Sequence, residues 1–335
     1  MEVCGTHSHA VGRHGLRQLL PDSVELVSGP GCPVCVTTAG QVELALELAR
    51  RGAMVATFGD MMRVPGPSGS LAGARAAGGD VRVVYSPQQA LELAAREPGR
   101  EVVFVAVGFE TTAPAVAAVA KQAPAAGPSG FSLLGLHKLV PPALEALVAD
   151  EEVALDGLLC PGHVSVVIGS EAYRPLAERW RMPCVVAGFE PEDILLGVAM
   201  LLAQIADERA EVENAYPRAV RPEGNPRALA LMEEVFEPTE AEWRGLGSLP
   251  DSGLKLRGAY AALDARERFG LAVVAAPEPP GCRCGDVLRG RLRPAECGLF
   301  GGACTPARPV GPCMVSSEGA CAAAYKYERT QVVRG

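Results

Sequence analysis

Residues 38–58, TAGQVELALELARRGAMVATF, set the fold class. Over 38–51 the side chains Val42, Leu44, Ala45, Leu48 and Ala49 recur at helical spacing and form one broad apolar face. The apolar run 54–58 that follows reads as a strand. The same alternation extends in both directions. Toward the N-terminus, strands are expected at 2–4 and 24–28, with a helix at 8–20. Beyond lie a strand at 81–85 and a helix at 87–96. The pattern then restarts, with strands at 102–107, 132–136, 157–159 and 184–187 and helices at 112–122, 142–150, 170–181 and 191–209. Strand–helix alternation implies parallel sheet with right-handed crossovers. The sequence therefore predicts two parallel-sheet α/β (Rossmann-like) domains, 1–100 and 101–215, facing a cleft. A smaller, mainly helical and loop domain is expected at 216–335, with helices at 226–236 and 259–269. Loops fall at 121–130 and 217–227.

The chain has 335 residues, of which 48% are hydrophobic, enough for two or three domains with sizeable cores. A net charge of −8 leaves no basic face for phosphates and argues against nucleic acid. The opening MEVCGTHSHA has neither the basic start nor the apolar core of a signal peptide. The most apolar helical stretch, 194–206, is too short to span a bilayer. A cytoplasmic protein with reduced thiols is the expectation. In that setting a cysteine framework means metal or redox chemistry.

Six of the eleven cysteines fall in GCRCGDVLRGRLRPAECGLFGGACTPARPVGPCMVSSEGAC, residues 281–321. They are Cys282, Cys284, Cys297, Cys304, Cys313 and Cys321. Glycine and proline crowd the same stretch, so the backbone turns often and can bring thiolates to one point from several directions. Four thiolates suit a [4Fe–4S] cluster or a structural zinc. Zinc sites usually use two close-spaced couples, whereas only Cys282 and Cys284 are close here, so the spacing favours iron–sulfur. A disulfide staple would need an oxidising compartment.

The polar motifs fall after strands. CGTH (4–7), GPGCPVC (29–35) and FGD (58–60) follow the first three; GFETT (108–112), LHK (136–138), CPGH (160–163) and GFE (188–190) follow later ones. Ligands of open parallel sheets bind at the carboxyl ends of strands. Two facing sheets would line a cleft with Cys4, His7, Cys32, Cys35, Asp60, Glu110, His163 and Glu190. Cys4 and His7 offer a thiolate and an imidazole, which suit Fe(II) or Zn, though two ligands cannot saturate a metal. Cys4 reads equally as a buried small side chain. Cys32 and Cys35 form a C-x-x-C pair before a helix, suited to dithiol redox chemistry or to half of a zinc site. His163 reads as a ligand, a proton carrier or a hydrogen-bonded structural residue. Glu110 and Glu190 also suit helix capping, and Cys160 and Cys184 read as small core residues. GPGCP lacks the Lys-Ser/Thr end of a nucleotide P-loop.

Taken together, MEVCGTHSHA, GPGCPVC, GFETTAPA, CPGHVS, GFEPEDIL and GPCMVSSEGACAA resemble the HypD family of hydrogenase maturation factors. The resemblance runs from Cys4 to Tyr327. It implies two α/β domains and a third domain holding a [4Fe–4S] cluster. It further implies a scaffold on which the Fe(CN)2CO unit of [NiFe]-hydrogenase is assembled. The implied partners are the small chaperone HypC and the cyanide donor HypE, itself loaded by HypF. The family's C-x14-C-x6-C-x16-C signature falls on Cys282, Cys297, Cys304 and Cys321 as cluster ligands, leaving Cys284 and Cys313 as non-ligands. The resemblance then makes Cys4 the anchor of the iron being dressed, His7 the histidine of the same motif, and Cys32 and Cys35 a redox pair near the cleft. That the pair draws its electrons through the cluster is a further expectation from dithiol and cluster chemistry. Family members usually carry a few tens of residues before the CGTH motif, on which this sequence opens. The residues alone leave another reading: a free-standing iron–sulfur and dithiol oxidoreductase acting on a small molecule.

Overall fold

The computed structural model describes residues 1–124, 130–272 and 275–328. Part of the loop expected at 121–130 lies outside these residues. Four strands make the larger sheet: β1 (Met54–Thr57), β2 (Val81–Val83), β3 (Val102–Gly108) and β4 (Phe131–His137). Their order is β2-β1-β3-β4, all parallel. Every residue of β3 is buried. Its alternate side chains serve two cores. Val103, Val105 and Val107 face the Ala39–Arg50 helix side, while Val102, Phe104 and Ala106 meet the Pro87–Arg96 and Ala113–Gln122 helices. Burial on both faces is why β3 reads as a continuous apolar run, and it is the pattern of a parallel sheet covered by helices. The Ala39–Arg50 helix starts on a capping box between Thr38 and Gln41.

The smaller sheet has β5 (Leu158–Pro161), β6 (Cys184–Ala187) and β7 (Val212–Asn214), parallel and in that order. The N-terminal residues join it. Val3 donates its amide to the Leu159 carbonyl (3.1 Å), and Leu159 donates to Met1 (2.8 Å). On the other side Glu2 exchanges backbone hydrogen bonds with Val27 and Gly29. The expected strands at 2–4 and 24–28 are therefore single bridges on the second sheet.

The strands do not divide at residue 100 as the alternation suggested. β3 and β4 continue the sheet of β1 and β2, and the CGTH segment lies with β5. Periodicity reports which segments are strands; it carries no record of which strand each will pair with.

The region after 216 also differs from expectation. The helix at 226–236 ends as Pro226–Val235, and an antiparallel hairpin follows, β8 (Phe236–Trp243) with β9 (Gly247–Leu256). Gly245 (φ 82°) and Gly247 (φ 76°) turn the chain in the left-handed region. β9 then runs beside the end of β4, with Leu139 donating to the Ser252 carbonyl at 2.8 Å. Trp243, 1% exposed, anchors the hairpin by stacking on Phe109 and donating its indole N–H to Ser252 Oγ at 2.9 Å. Replacing Trp243 with Phe keeps the stack and removes that bond. Urea denaturation should show a loss of about 1–2 kcal/mol at unchanged m-value.

Candidate functional site

Cys4 ends the extended N-terminal segment and precedes the Gly5–Arg13 helix. The turn is built on Glu2, which is fully buried. Its carboxylate accepts from the Cys4 amide (3.1 Å) and the Ser8 hydroxyl (2.5 Å). Burial holds the Glu2 carboxyl above its ordinary pKa. The GPGCP loop lies directly against this turn. Gly5 donates to the Gly31 carbonyl at 3.0 Å, and a Cβ on Gly31 would sit 2.4 Å from the Cys4 nitrogen and 2.5 Å from its Cα. Only glycine permits that approach, which sets Cys4 beside Cys32. Cys32 and Cys35 are joined as a disulfide, and the Cys35 amide donates to Cys32 Sγ at 3.1 Å in the first turn of Pro33–Val36.

The C-terminal SSEG segment closes over the same turn. A Cβ on Gly5 would meet the Glu318 Cβ and carbonyl oxygen at 2.4 Å. Asp60, at the end of β1, accepts from Ser316 Oγ (3.0 Å), Ser317 N (3.1 Å) and Ser317 Oγ (3.0 Å). The Cys4 turn is therefore walled by two distant segments, the second of them held by Asp60. The Cys4 thiol is pushed up to about 12, first by burial and then by the nearby Glu318 charge. A cation delivered to this sulfur would reverse that balance, because it stabilises the thiolate directly.

His7 is wholly buried and points to the second sheet. Its Nε2–H donates to the Gly188 carbonyl at 2.8 Å, which leaves the neutral Nδ1 buried without a partner. Burial pushes its pKa down to about 4. Phe189 lies between two imidazoles, 5.0 Å from His7 and 3.9 Å from His163. Glu190 caps the Pro191–Ala206 helix in a reciprocal box with Asp193. Glu110 caps the Val140–Val148 helix, accepting from Val140 N at 2.9 Å. Its second oxygen is buried without a partner, and burial raises its pKa to about 7. Cys160 and Cys184 are fully buried core residues, as expected.

Of the eight residues expected to line a cleft, His163 and Glu190 are exposed and Asp60 is half-buried. Cys4, His7, Cys32, Cys35 and Glu110 are all buried, at 7%, 0%, 3%, 0% and 2% exposure. The N-terminal turn, the GPGCP loop and the SSEG segment pack on one another and shut the space between them.

The cysteine-rich loop adjoins this site. Cys282, Cys284, Cys297, Cys304 and Cys321 line one small cavity with Leu299, Phe300 and Met314. Among the described residues no group of three His, Cys, Asp or Glu side chains is already closed on a metal-sized point, so the thiols are gathered but not converged. Gly311 leaves room for the sulfurs; a Cβ there would lie 2.4 Å from Cys282 Sγ and 2.7 Å from Cys284 Sγ. Cys284 holds its proton toward Cys282, which lowers the Cys282 thiol to about 6. Cys313 is fully buried on the short Pro312–Val315 helix, which packs on Pro33–Val36 of the disulfide turn.

Arg244 is the residue the sequence reading missed. It is 1% exposed, at the hairpin turn. Its backbone amide donates to the Val36 carbonyl (2.9 Å) and its Nη2 to the Thr37 carbonyl (2.8 Å), while Glu278 pairs with its Nη1. Cys282, Cys284 and Cys313 lie within its field. A buried cation between the disulfide turn and the cysteine loop favours thiolate on both sides. A single arginine in a hairpin leaves no pattern to find.

Fold and site define an α/β protein in which an isolated thiol, a C-x-x-C disulfide and a six-cysteine loop are packed into one region. The HypD model, described as the hydrogenase formation hypA family, matches residues 1–328. Over 337 residues the chain is 50% identical to the hydrogenase maturation factor HypD of Azotobacter vinelandii, covering 98% of this chain and 89% of that protein. It is 49% identical over 338 residues to that of Rhizobium leguminosarum bv. viciae, covering 98% and 88%. A putative hydrogenase expression/formation protein of Methanocaldococcus jannaschii is 44% identical over 329 residues, covering 98% and 92%. The chain belongs to the HypD family.

Gly31→Ala should force the loop off the Cys4 turn and cost about 2 kcal/mol in urea denaturation, whereas Gly258→Ala, with open space around its Cβ, should change little. Glu110 binds its proton more tightly folded than unfolded. Its contribution to stability is complete below its ordinary pKa of 4.5 and is lost as pH rises through about 7. Glu110→Gln should remove that decline, a difference of up to about 3 kcal/mol between the two ends of the window.

Proposed function

We propose that this chain is the scaffold on which the iron of a [NiFe]-hydrogenase acquires its cyanide and carbon monoxide ligands. Membership of a family of hydrogenase maturation factors supports this. The observation that carries it is the Gly31 contact, which sets the Cys4 turn directly against the Cys32–Cys35 disulfide.

In this reading iron is the cargo. Cys4 binds it as thiolate, and a thiolate of the small chaperone HypC supplies a second soft ligand. His7 is neutral, with Nδ1 free to bind iron, and its Nε2–H bond to Gly188 fixes the ring. Cyanide arrives from HypE, which HypF loads, as a thiocyanate. Releasing it takes two electrons. With Cys32 and Cys35 reduced, a thiolate of the pair attacks the thiocyanate sulfur. The S–C bond breaks, cyanide leaves to the iron, and the second thiolate displaces the donor thiol while closing the Cys32–Cys35 bond. The disulfide seen here is the oxidised end of that step.

The donor set around the small cavity fits a [4Fe–4S] cluster held by Cys282, Cys297, Cys304 and Cys321, since thiolate is the ligand such clusters take. A cluster there supplies electrons one at a time. Arg244 and Cys313 lie between this cavity and the disulfide turn, where they hold charge and exclude water. Among the described residues no helix is long and apolar enough to cross a membrane.

Infrared spectra of the protein purified anaerobically with its small chaperone should show bands of iron-bound cyanide and carbon monoxide. A complex that carries iron without such bands would overturn the proposal. Cys32→Ser should lose the bands and keep visible absorbance near roughly 400 nm, while Cys297→Ser should lose that absorbance.

A further inference from the structure

A cavity of about 360 Å³ opens between the end of β4, the β8–β9 hairpin and the Ala265–Phe269 helix. Three basic side chains line it: Lys138 and Arg266, both at least partly buried, and Lys255, which is exposed and paired with Glu237 at 3.0 Å. Lys138 is 1% exposed. Its ammonium donates to Gln41 Oε1 (3.1 Å) and the Glu242 carbonyl (2.6 Å), and lies over the Trp243 ring, 5.6 Å from the centroid. Arg266 is partly buried, and its Nε is enclosed without a partner. Among the described residues no carboxylate lies within ion-pair distance of either group.

Four acids line the cavity too, of which Glu240, Glu242 and Glu267 are exposed and Asp264 is half-buried. Asp264 Oδ1 takes the backbone amide of Arg266 at 2.8 Å, and the Glu242 carboxylate faces the Thr38 hydroxyl at 3.5 Å. Burial and then the Arg266 charge push Lys138 down to about 7. Two cations crowded beside a void, without a counter-charge in contact, are costly to keep. His137 also lines the cavity, with its Nε2 buried and unpartnered. Buried polar groups without partners call for an occupant.

We infer that this cavity binds a small organic oxyanion, its carboxylate or phosphate held by Arg266 and Lys138 and its apolar body resting on Leu133, Phe236 and Leu254. The volume is that of a small-ligand pocket and exceeds what a bare inorganic anion fills. Guanidinium suits either oxyanion through paired N–H donors. The site adjoins the thiol centre through Gln41, whose side-chain oxygen accepts from both Lys138 and the Thr38 amide at the start of the helix that follows the disulfide.

Calorimetric titration of the full chain with benzoate and with phenyl phosphate, in chloride buffer, tests this and distinguishes the two oxyanions. Saturable binding of at least one probe is expected. Arg266→Gln should weaken it by roughly tenfold or more, and Arg266→Lys should restore part of the loss. Arg96→Gln, at an exposed arginine remote in sequence from the cavity, should leave binding unchanged. Thermal unfolding of Arg266→Gln should not fall below that of the parent protein, because among the described residues the Arg266 Nε has no partner to lose and the substitution relieves its crowding with Lys138. No saturable binding of either probe, or equal affinity in Arg266→Gln, would overturn the assignment.

Discussion

The pairing of Val3 with Leu159 fixes the rest of the site. It draws the first residues of the chain into the second sheet, 156 positions away in sequence. Once Glu2 and Val3 are held there, Cys4 and His7 have no freedom to be elsewhere. His7 meets the Gly188 carbonyl of the same sheet, and the buried Glu2 carboxylate ties the turn together. The free energy of those few hydrogen bonds is modest in itself. Their weight lies in burial, because breaking one would leave a carboxylate or an amide unsatisfied in an enclosed place.

Three glycines convert that anchor into a site. Gly31 admits the disulfide loop, Gly5 admits the Glu318 segment, and Gly311 admits the sulfurs of Cys282 and Cys284. At each position a methyl group would collide with backbone or sulfur. The gathering of the thiols therefore depends on close approach of main chains rather than on long side chains reaching across a gap. Arg244 completes the arrangement from the hairpin, holding the carbonyls of Val36 and Thr37 while its charge faces the cysteine loop.

Burial decides the electrostatics. Cys4, His7 and Glu110 are all shifted toward their neutral forms by desolvation. A site held neutral in this way favours arrival of a cation with the proton leaving the thiol. Cys282 is the exception, because Cys284 and Arg244 both support its thiolate.

Much of this was legible in the chain itself. The helix at Ala39–Arg50, the strands β1 and β3, and β6 to the residue followed from periodicity, because a half-buried helix and a doubly covered strand leave different spacings. The placement of FGD and GFETT at strand ends was legible too, since loops there carry the glycine and polar residues that strands exclude, whereas CGTH and GPGCPVC follow single bridges instead of strands. Tertiary structure alone decided which strands share a sheet, that Cys4 belongs with β5 rather than β1, that the site is closed, and that Arg244 stands between the two groups of thiols. Pairing, close approach and buried charge are relations between distant residues, and a local pattern records only what each residue does among its neighbours in sequence.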